Sequence, residues 1–150
     1  MKLLKASLLA LFLSPLSAIA AGEGWLTDLE EAKKVAKKEN KSILIDFTGS
    51  DWCHFCVLLD DEVFSKDDFM EKAKKDFVLV EIDFPRKAKQ SAEVKAKNEA
   101  LAKKYGVQGF PTVFLTDENG KPFAKTGYQR GGVKPYLAHL EKALKQKGLN

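Results

Sequence analysis

Two short runs limit the folds open to this chain: SILIDFT at 42–48 and FVLVEID at 77–83. Each is apolar, carries β-branched residues and is closed by polar residues or proline. Runs of that length suit buried strands, whereas helices need ten residues or more. Between them, Leu58, Leu59 and Val63, then Phe69 and Ala73, recur at helical spacing, with Ser65 and Asp68 placed to cap the second helix. A strand that returns to its neighbour through a helix predicts a parallel pair.

The remaining segments extend this order. Thr27 with Glu30 three residues later reads as a capping box, and Leu29, Ala32, Val35 and Ala36 continue as a helix that stops at Asn40. The stretch 85–105 begins as a charged loop and becomes a helix on Val94, Ala100 and Leu101, its lysines forming a solvated face. PTVFLT, the turn DENG and KPFAKTGY predict an antiparallel hairpin. After Gly131 and Gly132 a last amphipathic helix carries Tyr136, Leu137, Leu140 and Leu144. The expected class is α/β, with a mixed central sheet and helices on both faces.

Residues 1–20 are expected to be a cleaved signal peptide. Lys2 and Lys5 precede an apolar run from Leu8 to Leu13, and Ala18-Ile19-Ala20 supplies the small-residue cleavage pattern. The run is short of the roughly 20 residues that span a bilayer, and no stable membrane insertion is expected. Residues 21–150 then make one domain. The 25 basic residues less Lys2 and Lys5 leave 23 against 21 acidic ones, too even a balance for a nucleic-acid partner. Export to the periplasm or beyond places the chain where disulfides persist.

The chain has two cysteines, Cys53 and Cys56, both in GSDWCHFC at 49–56. Zinc takes about four ligands; His54 lies between the cysteines and His139 on a distant helix, so no metal site is expected. A structural clip closing so small a ring contributes only about 2 kcal/mol, against about 4.7 for a 100-residue loop. Redox use fits best. The pair follows a buried strand and opens a helix, where free N–H groups and the macrodipole favour a thiolate at Cys53. Cys56, one turn further in, is expected to be shielded. A lower pKa makes Cys53 chiefly a better leaving group, so exchange runs in both directions.

ILIDF, then WCxxC, then GVQGFPTVFL resemble the thioredoxin superfamily across nearly all of residues 21–150. DWCHFCVLLDDEVFS is similar to its exported branch, which includes the periplasmic C-terminal domain of the transmembrane disulfide reductase of the Dsb system. The resemblance implies a thioredoxin-like fold and a thiol–disulfide oxidoreductase without a bound cofactor. Its partners would be protein thiols and disulfides, with a membrane or soluble dithiol as electron donor. It also implies that Asp46, costly inside an apolar strand, moves the proton of Cys56 through water; an Asp bonded to backbone near the strand end is the alternative. Pro111 would lie in a cis-proline loop facing the cysteines, although X-Pro bonds are mostly trans, and the Phe110 backbone would pair with an extended substrate segment.

The chain departs from typical thioredoxins in three places. One extra residue separates Asp46 from Cys53, Leu79 stands where a lysine is frequent, and His54-Phe55 replaces Gly-Pro. His54 either donates to the Cys53 thiolate or is a solvated first-turn residue. Phe55 offers an apolar contact, and Trp52 is a flat cover beside the sulfur, a packing residue, or both. The expected activity is reduction of protein disulfides. Isomerase or oxidase activity, or a non-catalytic peptide-binding or chaperone module, are the alternatives.

Overall fold

The computed structural model describes residues 22–148. Helix α1 (Leu29–Glu39) leads into β1 (Ser42–Thr48); α2 (His54–Leu59) continues through a π-helical turn (Asp60–Phe64) to α3 (Asp67–Asp76) and β2 (Phe77–Asp83). Then come α4 (Ala92–Tyr105), the hairpin β3 (Thr112–Thr116) and β4 (Pro122–Thr126), and α5 (Val133–Lys147). The sheet order is β2-β1-β3-β4. β1 and β2 are parallel and β3–β4 antiparallel, as their connections predict, and β1 pairs antiparallel with β3. The segment before α1 adds one bridge to β2: Leu26 N–H donates to Leu79 O and Glu81 N–H to Leu26 O, at 2.9 and 2.8 Å. The expected segment 1–20 lies outside the described residues.

Alternation along the strands splits the core in two. Ile43, Ile45, Phe47, Val80, Ile82 and Phe114 face α1 and α4. Leu44, Leu79, Val113 and Leu115 face Phe69 of α3, Tyr136 and Leu140 of α5, and Leu59 and Val63 beyond the cysteines.

Three local expectations are corrected. The α1 cap is Asp28, not Thr27: its Oδ1 accepts the Glu30 and Glu31 N–H groups at 2.8 and 3.1 Å, and its other oxygen meets Lys97 of α4. A carboxylate at this position answers both the free N–H groups and the dipole. Ser65 does not cap α3; its hydroxyl donates back to Asp60 O at 2.8 Å, and α3 starts after Lys66 without a side-chain cap. On α4, Val94 is 42% exposed, and the deeply buried position is Asn98, whose Nδ2 donates to Asp83 O at 3.0 Å. Asn40 ends α1 in the left-handed conformation, φ 53°, as a stop residue should.

Candidate active site

The cysteines sit where β1 hands over to α2. Beyond Thr48 the chain turns on Gly49, whose carbonyl accepts the N–H groups of Trp52 and Cys53 at 3.2 and 2.9 Å. A Cβ at Gly49 would lie 2.6 Å from the Trp52 ring, so a side chain there would expel the indole. Cys53 caps α2 with extended backbone, and its Sγ accepts the Cys56 N–H at 3.3 Å. The Gly49 N–H points at Cys56 Sγ, 3.4 Å away. The two cysteines form a disulfide with Cα atoms 5.2 Å apart. Cys56 is shielded, at 3% exposure, and in the disulfide form Cys53, at 7%, is nearly as enclosed.

Trp52, next in sequence to Cys53, is held from several sides. Its Nε1 donates to Phe84 O at 2.8 Å, the edge of Phe110 meets it at 5.9 Å, and the Arg86 guanidinium stacks 3.5 Å over its ring. Next to it, the Asp51 carboxylate accepts the N–H groups of Arg86, Lys87 and Ala88 at 2.9, 2.7 and 2.8 Å. Those bonds, the Arg86 N–H first, hold its carboxyl below the usual range. Trp52 is therefore a packing residue, pinned between the loop after β2 and the loop before β3. In the latter, the Phe110–Pro111 peptide bond is cis, and Thr112 Oγ1 donates to Gly109 O at 2.7 Å.

The outer side of α2 is apolar. Phe55 is 53% and Val57 40% exposed. The Phe55 ring lies 5.3 Å from that of His54 and 5.5 Å from that of Tyr128, whose hydroxyl donates to Glu62 Oε2 at 2.9 Å. His54 is solvent-exposed, and in the disulfide form it makes no hydrogen bond to Cys53 among the described residues.

Behind the cysteines a cleft of about 670 Å³ is lined by Cys56, Asp46, Glu81, Asp60, Thr48 and Trp25, among others. Asp46 is 5% exposed, and among the described residues its Oδ1 has no hydrogen-bond partner, which does not fit the alternative of a backbone-bonded Asp. Burial, then the charges of Glu81, Asp60 and Asp83, push the Asp46 carboxyl well above the carboxylate range. Glu81 is pushed up to about 7 by burial and by Asp83 and Asp60. The Tyr136 hydroxyl, buried and unpartnered among the described residues, is raised by burial and by the nearby Asp46 charge. Such a group of strained acids beside a sulfur is equipped to hold and move protons.

Of the sequence-expected residues, the fold brings Cys53, Cys56, Trp52 and Phe110 into one neighbourhood and puts Asp46 behind Cys56; His54 and Phe55 form the exposed rim. Glu81, Asp60 and Asp51 were not singled out from the sequence. Glu81 carried a signal: it is a carboxyl in the apolar run FVLVEID, as Asp46 is in SILIDFT. Asp60 lies four residues beyond Cys56, one helical turn away.

A family profile described as Thioredoxin-like domain matches residues 29–144. The chain belongs to that family. It is 36% identical over 127 residues to the disulfide bond reductase DsbH of Chlamydia pneumoniae, spanning 85% of this chain and 76% of that protein. A solved DsbH oxidoreductase superposes with a TM-score of 0.76 at 34% identity, covering 91% of this chain and 94% of that one. The thiol:disulfide interchange protein DsbD of Campylobacter jejuni is 30% identical over 125 residues, 78% of this chain but only 20% of that protein's length. This member of the thioredoxin-like family is a thiol–disulfide oxidoreductase with its Cys-x-x-Cys pair closed as a disulfide. Among the described residues, no helix is long and apolar enough to cross a membrane.

Proposed function

We propose that the protein is an exported reductase of protein disulfides. The observation that carries this is the Cys53–Cys56 disulfide at the start of α2, with Cys56 backed by the acid-lined cleft that holds Asp46. In the reduced protein the Cys53 thiolate attacks a substrate disulfide, and one substrate sulfur leaves as thiolate. Cys56 gives its proton to Asp46 and attacks Cys53 Sγ. The Cys53–substrate bond breaks, the electron pair leaves on the second substrate sulfur, and the Cys53–Cys56 disulfide remains. Solvent protonates the substrate thiolates. Two electrons have moved from the dithiol to the substrate, so no bound cofactor is required. A membrane-bound or soluble dithiol donor restores the thiols.

The Phe110 backbone beside Pro111 pairs with an extended substrate segment, while Phe55 and Val57 offer it apolar contact. The direction of electron flow is supported by the relative named a disulfide bond reductase. It is also supported by the compact connection from β2 to β3, a single helix. Export rests on the signal-peptide pattern of residues 1–20.

Equilibration of the oxidised protein with glutathione buffers, read by thiol alkylation, tests the direction. The expected potential lies below about −200 mV, on a scale from about −270 mV for thioredoxin to about −120 mV for the strong periplasmic oxidant. A value near the oxidant's end would overturn the reductase assignment. In parallel, absence of insulin reduction with a chemical reductant supplied would favour a binding module instead.

A further inference from the structure

Asp46 lines the cleft but is only 5% exposed, and among the described residues its Oδ1 has no hydrogen-bond partner. Glu81, on the same cleft, is the more exposed of the two. In the parallel β1–β2 ladder, Asp46 and Glu81 are register partners. Both belong to the side-chain set that includes Leu44 and Leu79, so they face the same layer. Both line the cleft that also reaches Cys56, and Glu81 is only half-buried.

We propose that Glu81 is the outer half of a two-carboxyl proton relay, receiving from Asp46 the proton that Asp46 takes from Cys56 and passing it through the cleft to solvent. The inference rests on the assignment of Asp46 to Cys56 and adds a positioning residue to it. In each turnover Cys56 S–H loses its proton to Asp46 as the Cys53–Cys56 bond forms. Asp46 hands a proton to Glu81, and Glu81 releases it to water. The electron pair leaves on the substrate sulfur, so the relay moves protons only.

The surrounding charges favour one shared proton. Two adjacent carboxylates in a poorly solvated site resist joint ionisation. Asp83 lies further along β2, Asp60 comes from the π-helical turn, and Tyr136 faces Asp46 from α5. At the cleft wall and rim, Glu23 precedes α1, and Asp67 and Lys74 come from α3. Lys74 is the single cation in that set, so the field around the pair is acidic. The value of about 7 for Glu81 places its release step at neutral pH.

Carboxyl-carbon NMR titration of the oxidised full chain reads the pair directly. In the wild type, the Asp46 and Glu81 signals should each follow two shared ionisation steps. In Glu81→Gln, a near-isosteric change, Asp46 should titrate in one step moved down by about 1 unit or more. Single-turnover resolution of a trapped mixed disulfide at pH 7 should slow several-fold in Glu81→Gln and recover in Glu81→Asp. An unmoved Asp46 titration, or unslowed resolution, overturns the relay. Asp46→Asn separates the two claims. If it slows resolution by about tenfold or more while Glu81→Gln changes nothing, the relay alone fails. If Asp46→Asn leaves resolution normal, the assignment of Asp46 to Cys56 fails with it.

Discussion

On one face of β1, Ile43, Ile45 and Phe47 are fully buried against α1 and α4; on the other, Leu44 is equally buried, but Asp46 next to it opens on a cleft. The same seven residues serve both faces. The first face is sealed by apolar side chains, including an aromatic group in which Phe47 meets Tyr105 and Phe114 at 5.7 and 6.0 Å. The second has an apolar floor at Leu44, Leu79 and Leu115, then becomes acidic where β1 and β2 end near α2. Stability and chemistry are thus divided by the pleat of one strand. A one-residue slip in register would exchange them.

The largest effect is expected on the sealed face. Phe47→Ala should cost about 3–5 kcal/mol, measured by urea unfolding of the oxidised protein, and should leave the potential of the Cys53–Cys56 couple nearly unchanged. A loss below about 1 kcal/mol would mean that this face is not the closed one.

The acidic face should respond with the opposite sign. The folded values of Asp46 and Glu81 are raised, so on increasing pH the unfolded chain gives up its protons first. Their contribution to stability is full below the unfolded values, near pH 4, and is lost as pH rises through the folded values, about 7 for Glu81. Asp46→Asn removes one of these acids. It should raise the stability of the oxidised protein at pH 7.5 by about 1–4 kcal/mol, the gain disappearing toward pH 4. A variant less stable than wild type at pH 7.5 would reveal a favourable partner for the carboxylate and blur the contrast between the faces.

The smallest effects are expected on α4. Asn98→Ala breaks the bond to Asp83 O that ties α4 to the end of β2, and should cost about 1–2 kcal/mol. Val94→Ser, on the solvent side, should stay within about 0.5 kcal/mol. Urea midpoints of the two variants check the pair, and a reversed ranking would put the inward side of α4 where the sequence pattern had placed it.

The α4 case shows why some features were not legible. A helix whose inward positions include Asn98 has almost no apolar stripe, so its few apolar residues, Val94 among them, do not mark the inward side. Asn98 can be buried only because a carbonyl at the end of β2 waits for its amide, and no local pattern carries that information. The caps differ from the local pattern by one residue for a related cause. Thr27 and Asp28 both have capping chemistry, and the chain's approach to α1 selects between them. Lys97, from a distant helix, adds a partner to the one selected.

The sequence by itself determined the strands, the sense of the β1–β2 and β3–β4 pairs and the place of the cysteines. Apolar period, turn residues and loop lengths are local quantities, and a strand–helix–strand connection leaves little topological choice. The tertiary structure decided what surrounds the sulfurs. Glu81 meets Asp46 across 35 positions because the β1–β2 register runs Ser42 with Phe77 through Thr48 with Asp83. Asp51 holds the loop after β2 by three N–H groups 35–37 residues away, and that loop places Arg86 on Trp52. The ionisation of a carboxyl depends on which charges and how much water lie within a few ångströms of it. Those neighbours come from separate elements, so they exist only once the sheet has closed.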